Sequence, residues 1–96
     1  MLVIHSTYVR ELSRVEPHRQ AHGEWVSKYI HQGIFLFAGP KKDKRGGIIL
    51  AKSIEEETLA KILSEDSYLQ AGLVENQIIE FVSAFAQPEL INVDRY

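Results

Sequence analysis

The chain has no cysteine among its 96 residues. That single absence excludes disulfides, thiolate metal sites, cysteine nucleophiles and iron–sulfur clusters, and it fits a reducing compartment. A bilayer-spanning window is also missing: no stretch is both long enough and apolar enough to cross the hydrocarbon core, so no membrane partner is expected. The first residues carry no basic leader, and only three apolar residues separate Met1 from His5, unlike a secretory signal. A cytoplasmic location is the expectation. Nor is there an excess of charge of either sign. With 11 Lys and Arg against 13 Asp and Glu, the net charge of −2 gives no electrostatic footprint for a polyanion, and nucleic acid is not an expected partner.

What is present is ordinary globular composition, with 45% hydrophobic and 25% charged residues. The length suits one domain over residues 1–96 and is too short for two independent cores. Residues 2–9, rich in β-branched and aromatic side chains, read as a buried strand. Pro17 is suited to the first turn of a helix, where its missing N–H would be unpaired anyway. At 100° per residue Val15, His22, Trp25, Val26 and Tyr29 share an apolar sector, and Gly33 supplies a left-handed stop. Residues 34–38 form a second apolar strand ended by Gly39-Pro40. A turn with a basic tip, residues 41–47, leads to a third strand over 48–52.

Ser53 followed by Glu56 has the form of a capping box, and Ile54, Leu59, Ile62 and Leu63 recur at helical spacing. Turn formers in 64–72 precede a long strand-like segment, 73–85, after which residues 86–96, holding Pro88, form a tail or arm. The order β-α-β-β-α-β predicts a ferredoxin-like α+β fold: a four-stranded antiparallel sheet with two helices on one face. The uncovered face then carries Phe35, Phe37, Ile78 or Ile79, and Phe81. That is much apolar surface to leave in water, so a homodimer through sheet faces is expected.

Strand directions locate a site. The end of strand one, the start of the first helix, Gly39-Pro40, Gly46-Gly47 and Asp66 all fall at one edge of the sheet. His22 and Asp66 therefore lie on the same side, as a general base and its orienting carboxylate would. A helix histidine beside an apolar face is more often simply a packed, hydrogen-bonded residue.

Arg19 and His22, then Gly33, Gly39-Pro40, Asp66, Tyr68 and Ala71-Gly72 together resemble the pattern of the YCII-related (YciI-like) family. The resemblance implies a ferredoxin-like fold paired as a dimeric α+β barrel related to muconolactone isomerase. It implies a His22–Asp66 active-site pair with Arg19, Gly39, Pro40 and Tyr68 at the substrate. It further implies a cofactor-free isomerase or lyase, of lactone isomerase or dehydrochlorinase type, acting on a small molecule by proton abstraction. The rival reading is a non-catalytic dimer, or higher oligomer, that binds a small metabolite. The family commonly has Asp-Pro before the aromatic, whereas this chain has Asp66-Ser67-Tyr68, which removes a rigid constraint on the turn.

Other signals are weaker. His18 and His22 share a helix face, but the zincin pattern requires glutamate where Arg19 stands, and a cation beside the pair disfavours a metal. Arg19 also suits a solvated ion pair. The basic loop 41–45 lacks the glycine spacing of a phosphate loop. Trp25 and Tyr29 are accounted for by the packed helix face, and Ser6 and Ser67 stand near the site without a serine-nucleophile motif.

Overall fold

The computed structural model describes residues 1–90; residues 91–96 of the expected tail or arm lie outside the described residues. Strand β1 (Leu2–Tyr8) is followed by a short helix α1 (Leu12–Val15), a 3-10 turn (Glu16–His18) and helix α2 (Arg19–His31). Strands β2 (Phe35–Pro40) and β3 (Gly46–Ala51) form a hairpin. Helices α3 (Glu56–Ser64) and α4 (Ser67–Gln70) precede β4 (Val74–Glu80). The sheet order is β2-β3-β1-β4 with every neighbouring pair antiparallel. Helices pack on the sheet in the α+β, ferredoxin-like arrangement that the element order predicts.

The core lies between α2, α3 and one sheet face. Leu2 and Ile4 of β1, Ile49 and Ala51 of β3 and Phe35 of β2 meet Trp25, Tyr29, Leu59 and Ile62. Alternation along β1 sends Leu2 and Ile4 to the helices, and the cross-strand register brings Ala51 and Ile49 opposite them. The Trp25 indole N–H donates to the Ile62 carbonyl at 2.9 Å, so the ring fills the core without an orphaned donor. Val15, Tyr68, Leu73 and Val74 form a second, smaller cluster under the end that carries Asp66.

Several expectations are corrected. Phe35 is only 1% exposed and belongs to the core, not to the uncovered face. Simple alternation would give Phe35 and Phe37 the same face, but the register of β2 on β3 shifts between them, so Phe37 alone turns outward. Val15 lies in the second cluster because the 3-10 turn at Pro17 breaks the helical phase before α2 begins. Gly39-Pro40 closes β2 from inside the strand.

The capping box does not form: the second long helix starts at Glu56 after Glu55, and the Ser53 hydroxyl instead meets the Met1 ammonium. The last strand has seven residues and stops at Glu80. Its one neighbour, β1, begins there: Glu80 lies opposite Leu2, and Phe81 N–H reaches the Met1 carbonyl as the last rung. Gly33 does adopt a left-handed conformation, with φ 75°, at the end of α2.

Candidate functional site

At the edge where β1 ends, β2 ends and β3 begins, a cavity of about 280 Å³ opens between the sheet and the start of α2. Glycine makes its floor possible. A Cβ on Gly46 would stand 1.9 Å from the Ser6 carbonyl oxygen, so only a residue without a side chain lets the hairpin close against β1. Ser6 and Tyr8, two residues apart on β1, both face the helix side at this edge and line the cavity.

His22 and Asp66 meet here. The His22 Nδ1 lies 2.7 Å from the Asp66 Oδ1. An ionised carboxylate only accepts hydrogen bonds, so the neutral imidazole carries its proton on Nδ1 and donates it to Asp66. Nε2 then holds the lone pair, and no hydrogen bond from the described residues occupies it. His22 itself lines the cavity with its side chain 26% exposed, whereas Asp66 behind it is 3% exposed.

The buried carboxylate is held by its own chain. Asp66 is the N-cap of α4, and its Oδ1 also accepts the Tyr68 backbone N–H at 3.0 Å. Two donors on one oxygen satisfy a charge that burial would otherwise make costly. The missing proline is replaced functionally by Ser67, whose hydroxyl donates to the His18 carbonyl at 3.1 Å. A proline ring has no group to make that bond. It ties α4 to the turn that precedes α2, the helix bearing His22.

Tyr68 supports both members of the pair. Its ring stacks on the His22 imidazole with centroids 3.9 Å apart and planes 6° from parallel, and Tyr8 contacts the Tyr68 ring edge-on at 5.8 Å. Burial, reinforced by the Tyr8 phenol beside it, pushes the Tyr68 hydroxyl up to about 12, although Arg19 pulls in the opposite direction. The phenol is therefore neutral at physiological pH.

Arg19 opens the same cavity from the first position of α2. Its Nε and Nη2 form a fork on the Glu16 carboxylate at 3.2 and 2.8 Å, which raises its pKa above the ordinary value. Gly39 and Pro40 line the opposite wall. Of the residues singled out in the sequence, Arg19, His22, Gly39, Pro40 and Tyr68 line the cavity, and Asp66 stands behind His22. Tyr8 was not singled out; its position two residues beyond Ser6 on the covered face of β1 was the available signal. Among the described residues no three His, Asp or Glu side chains are grouped as a metal site would require. Nor, among them, is any helix long and apolar enough to cross a membrane.

Comparison with known proteins adds a lineage. A family model described as the YCII-related domain matches residues 1–82. No curated protein matches the sequence. Among solved structures, the chain is similar to 5-chloro-2-hydroxyhydroquinone dehydrochlorinase from Burkholderia phenoliruptrix AC1100 in complex with 2,5-dihydroxybenzoquinone. The TM-score is 0.68 and the identity 16%, over 84% of this chain and 93% of that one. At that identity the likeness speaks for the fold.

Proposed function

The chain belongs to the YCII-related family, and on that premise we propose that it is a small-molecule enzyme of isomerase or lyase type in which His22 acts as the base. The observation that carries this reading is the 2.7 Å contact between Nδ1 of the cavity-lining His22 and a buried Asp66, with no hydrogen bond to Nε2 among the described residues. In the proposed step, Nε2 takes a proton from a carbon next to a substrate carbonyl. The C–H electron pair moves onto that carbonyl as an enolate. Where the enolate is conjugated to a further carbon, the imidazolium, after exchange with solvent, protonates that carbon and isomerises the molecule; where the neighbouring carbon bears a leaving group, the electron pair expels it, and the imidazolium gives its proton to solvent. Asp66 fixes the tautomer and stabilises the imidazolium that forms in between. Arg19, Gly39, Pro40 and Tyr68 contact the substrate. The similar solved structure, a dehydrochlorinase by name, makes an elimination of hydrogen chloride one reaction to assay.

We infer that the protein works as one unit over its length and as a homodimer through the open sheet face, where Phe37 is 60% exposed and Ile79 50% exposed. Sedimentation equilibrium tests this: a dimer that Phe37→Ser weakens is expected, and a stable monomer would contradict it.

The functional experiment incubates the protein in D2O with lactone and chlorohydroquinone candidates and follows deuterium entry by NMR and chloride release. Turnover by the parent protein with a loss of about 10²–10⁴-fold in His22→Asn is expected for removal of a general base. Unchanged turnover in that variant would end the assignment of His22. A parent protein that binds such molecules without ever exchanging a proton would favour a metabolite-binding dimer instead.

A further inference from the structure

The chemistry of the cavity wall is lopsided. Among the described residues its lining includes one cation, Arg19, the imidazole of His22 and three hydroxyls, those of Ser6, Tyr8 and Tyr68, but no aspartate or glutamate. Asp66, behind His22, has its Oδ1 engaged by two donors and is buried, and Glu16 is held in the fork of Arg19. The remaining lining is apolar, with Gly39, Pro40 and Ile49 at the end of the hairpin. A cavity so divided has a charge preference and an orientation built into it.

The donors converge. Tyr8 and Tyr68 touch edge to face, with centroids 5.8 Å apart, and both border the same opening as Arg19. Arg19 uses Nε and Nη2 on Glu16, and no described residue takes a hydrogen bond from Nη1. The Glu16 fork fixes the guanidinium against one side while a donor edge remains for another acceptor. Tyrosine hydroxyls donate readily to an anionic oxygen.

We propose that Arg19, Tyr8 and Tyr68 form a carboxylate-binding wall, and that the ligand of this cavity is a small organic acid whose apolar frame lies against Gly39-Pro40 and Ile49. This names the substrate class of the site described under the proposed function and rests on that reading for its catalytic consequence. With the carboxylate on the arginine–phenol wall, the carbon frame spans toward His22, which stacks directly on Tyr68. Tyr8 thereby becomes a ligand-contacting residue.

The test is a binding experiment that does not depend on turnover. The full chain is titrated with sodium benzoate and with benzamide, its neutral counterpart of nearly equal shape, and backbone and tyrosine-ring NMR shifts are followed. Benzoate is expected to perturb Gly39, Tyr8 and Tyr68 and to bind about tenfold or more tighter than benzamide, the worth of one charge-assisted contact. Arg19→Met is expected to erase that preference, Arg19→Lys to keep part of it, and Tyr8→Phe to weaken benzoate about threefold or more. Equal binding of the two probes, no binding of either, or an Arg19→Met variant that still prefers benzoate would overturn the proposal. Arg19 is an exposed residue, its side chain 55% accessible, so its replacement does not put folding at stake. Carboxylate preference with no proton transfer to any substrate would leave this proposal standing and remove the catalytic reading. Proton transfer on neutral substrates alone would do the reverse.

Discussion

The sheet has two faces, and each contains a histidine within 3 Å of a charged partner. On the helix-covered side His22 meets Asp66 at 2.7 Å; on the open side His5 receives the Lys41 ammonium on Nε2 at 3.0 Å. The partners have opposite sign, and that decides what each ring can do. A carboxylate takes a proton from one nitrogen and leaves the other as a base. An ammonium has only donors, so it consumes a lone pair. His5, flanked across the strands by Ile48 and Gln77, is thereby engaged within the open face, whereas His22 lines a cavity. Packing differs in the same direction. The covered face is closed by Phe35, Ile4 and Trp25, while the open one exposes Phe37, Ile48 and Ile79.

The sharpest way to break this contrast is to truncate equivalent aromatics on the two faces. Phe35→Ala removes a fully buried ring and is expected to cost about 3–5 kcal/mol in urea unfolding. Phe37→Ala, two residues away, should change the monomer's stability by no more than about 1 kcal/mol and act chiefly on association. Similar losses from both would mean that the open face is packed within the monomer.

Next in size is Asp66→Ala. It deletes a helix cap worth about 1 kcal/mol and a charged hydrogen bond worth about 1.5–3 kcal/mol, so a loss of about 2–4 kcal/mol is expected. A loss below about 1 kcal/mol would show that Asp66 is not buried against His22.

The element order, the sheet topology and the edge at which His22 and Asp66 meet were legible from apolar periodicity and strand direction. Three features were not. The shift between Phe35 and Phe37 depends on pairing with β3, which no pattern in β2 alone reports. The end of β4 is set by the start of β1, although the apolar run continues through Phe81, Val82 and Phe85. Helix α4 has only four residues, too few for a period, yet its cap is what fixes Asp66. Tyr8, too, joins Tyr68 and Arg19 at the cavity only through the fold, which spacing does not report.

A smaller effect separates Tyr68 from ordinary tyrosines. Its folded pKa of about 12 exceeds the unfolded value of about 10. The folded form thus keeps its proton longer, and the resulting stability is complete below about pH 10 and lost as pH rises toward about 12. Absorbance titration should find a late-ionising phenol that Tyr68→Phe removes; ionisation of all tyrosines near pH 10 would contradict the burial. The smallest effect is expected at Lys41→Met. It should release the Nε2 of His5 and change the His5 tautomer seen by nitrogen NMR, with less than about 1 kcal/mol of stability at stake. A larger loss would give the open-face pair a structural weight like that of its counterpart.

The central claim is that Asp66 holds the proton of His22 on Nδ1 and leaves Nε2 bare toward the cavity. Long-range ¹H–¹⁵N correlation of the His22 ring in the neutral form reads this directly. The account predicts a protonated Nδ1 with a pyridine-like Nε2, and a change of that pattern in Asp66→Ala. A neutral ring protonated on Nε2 in the parent protein would contradict it.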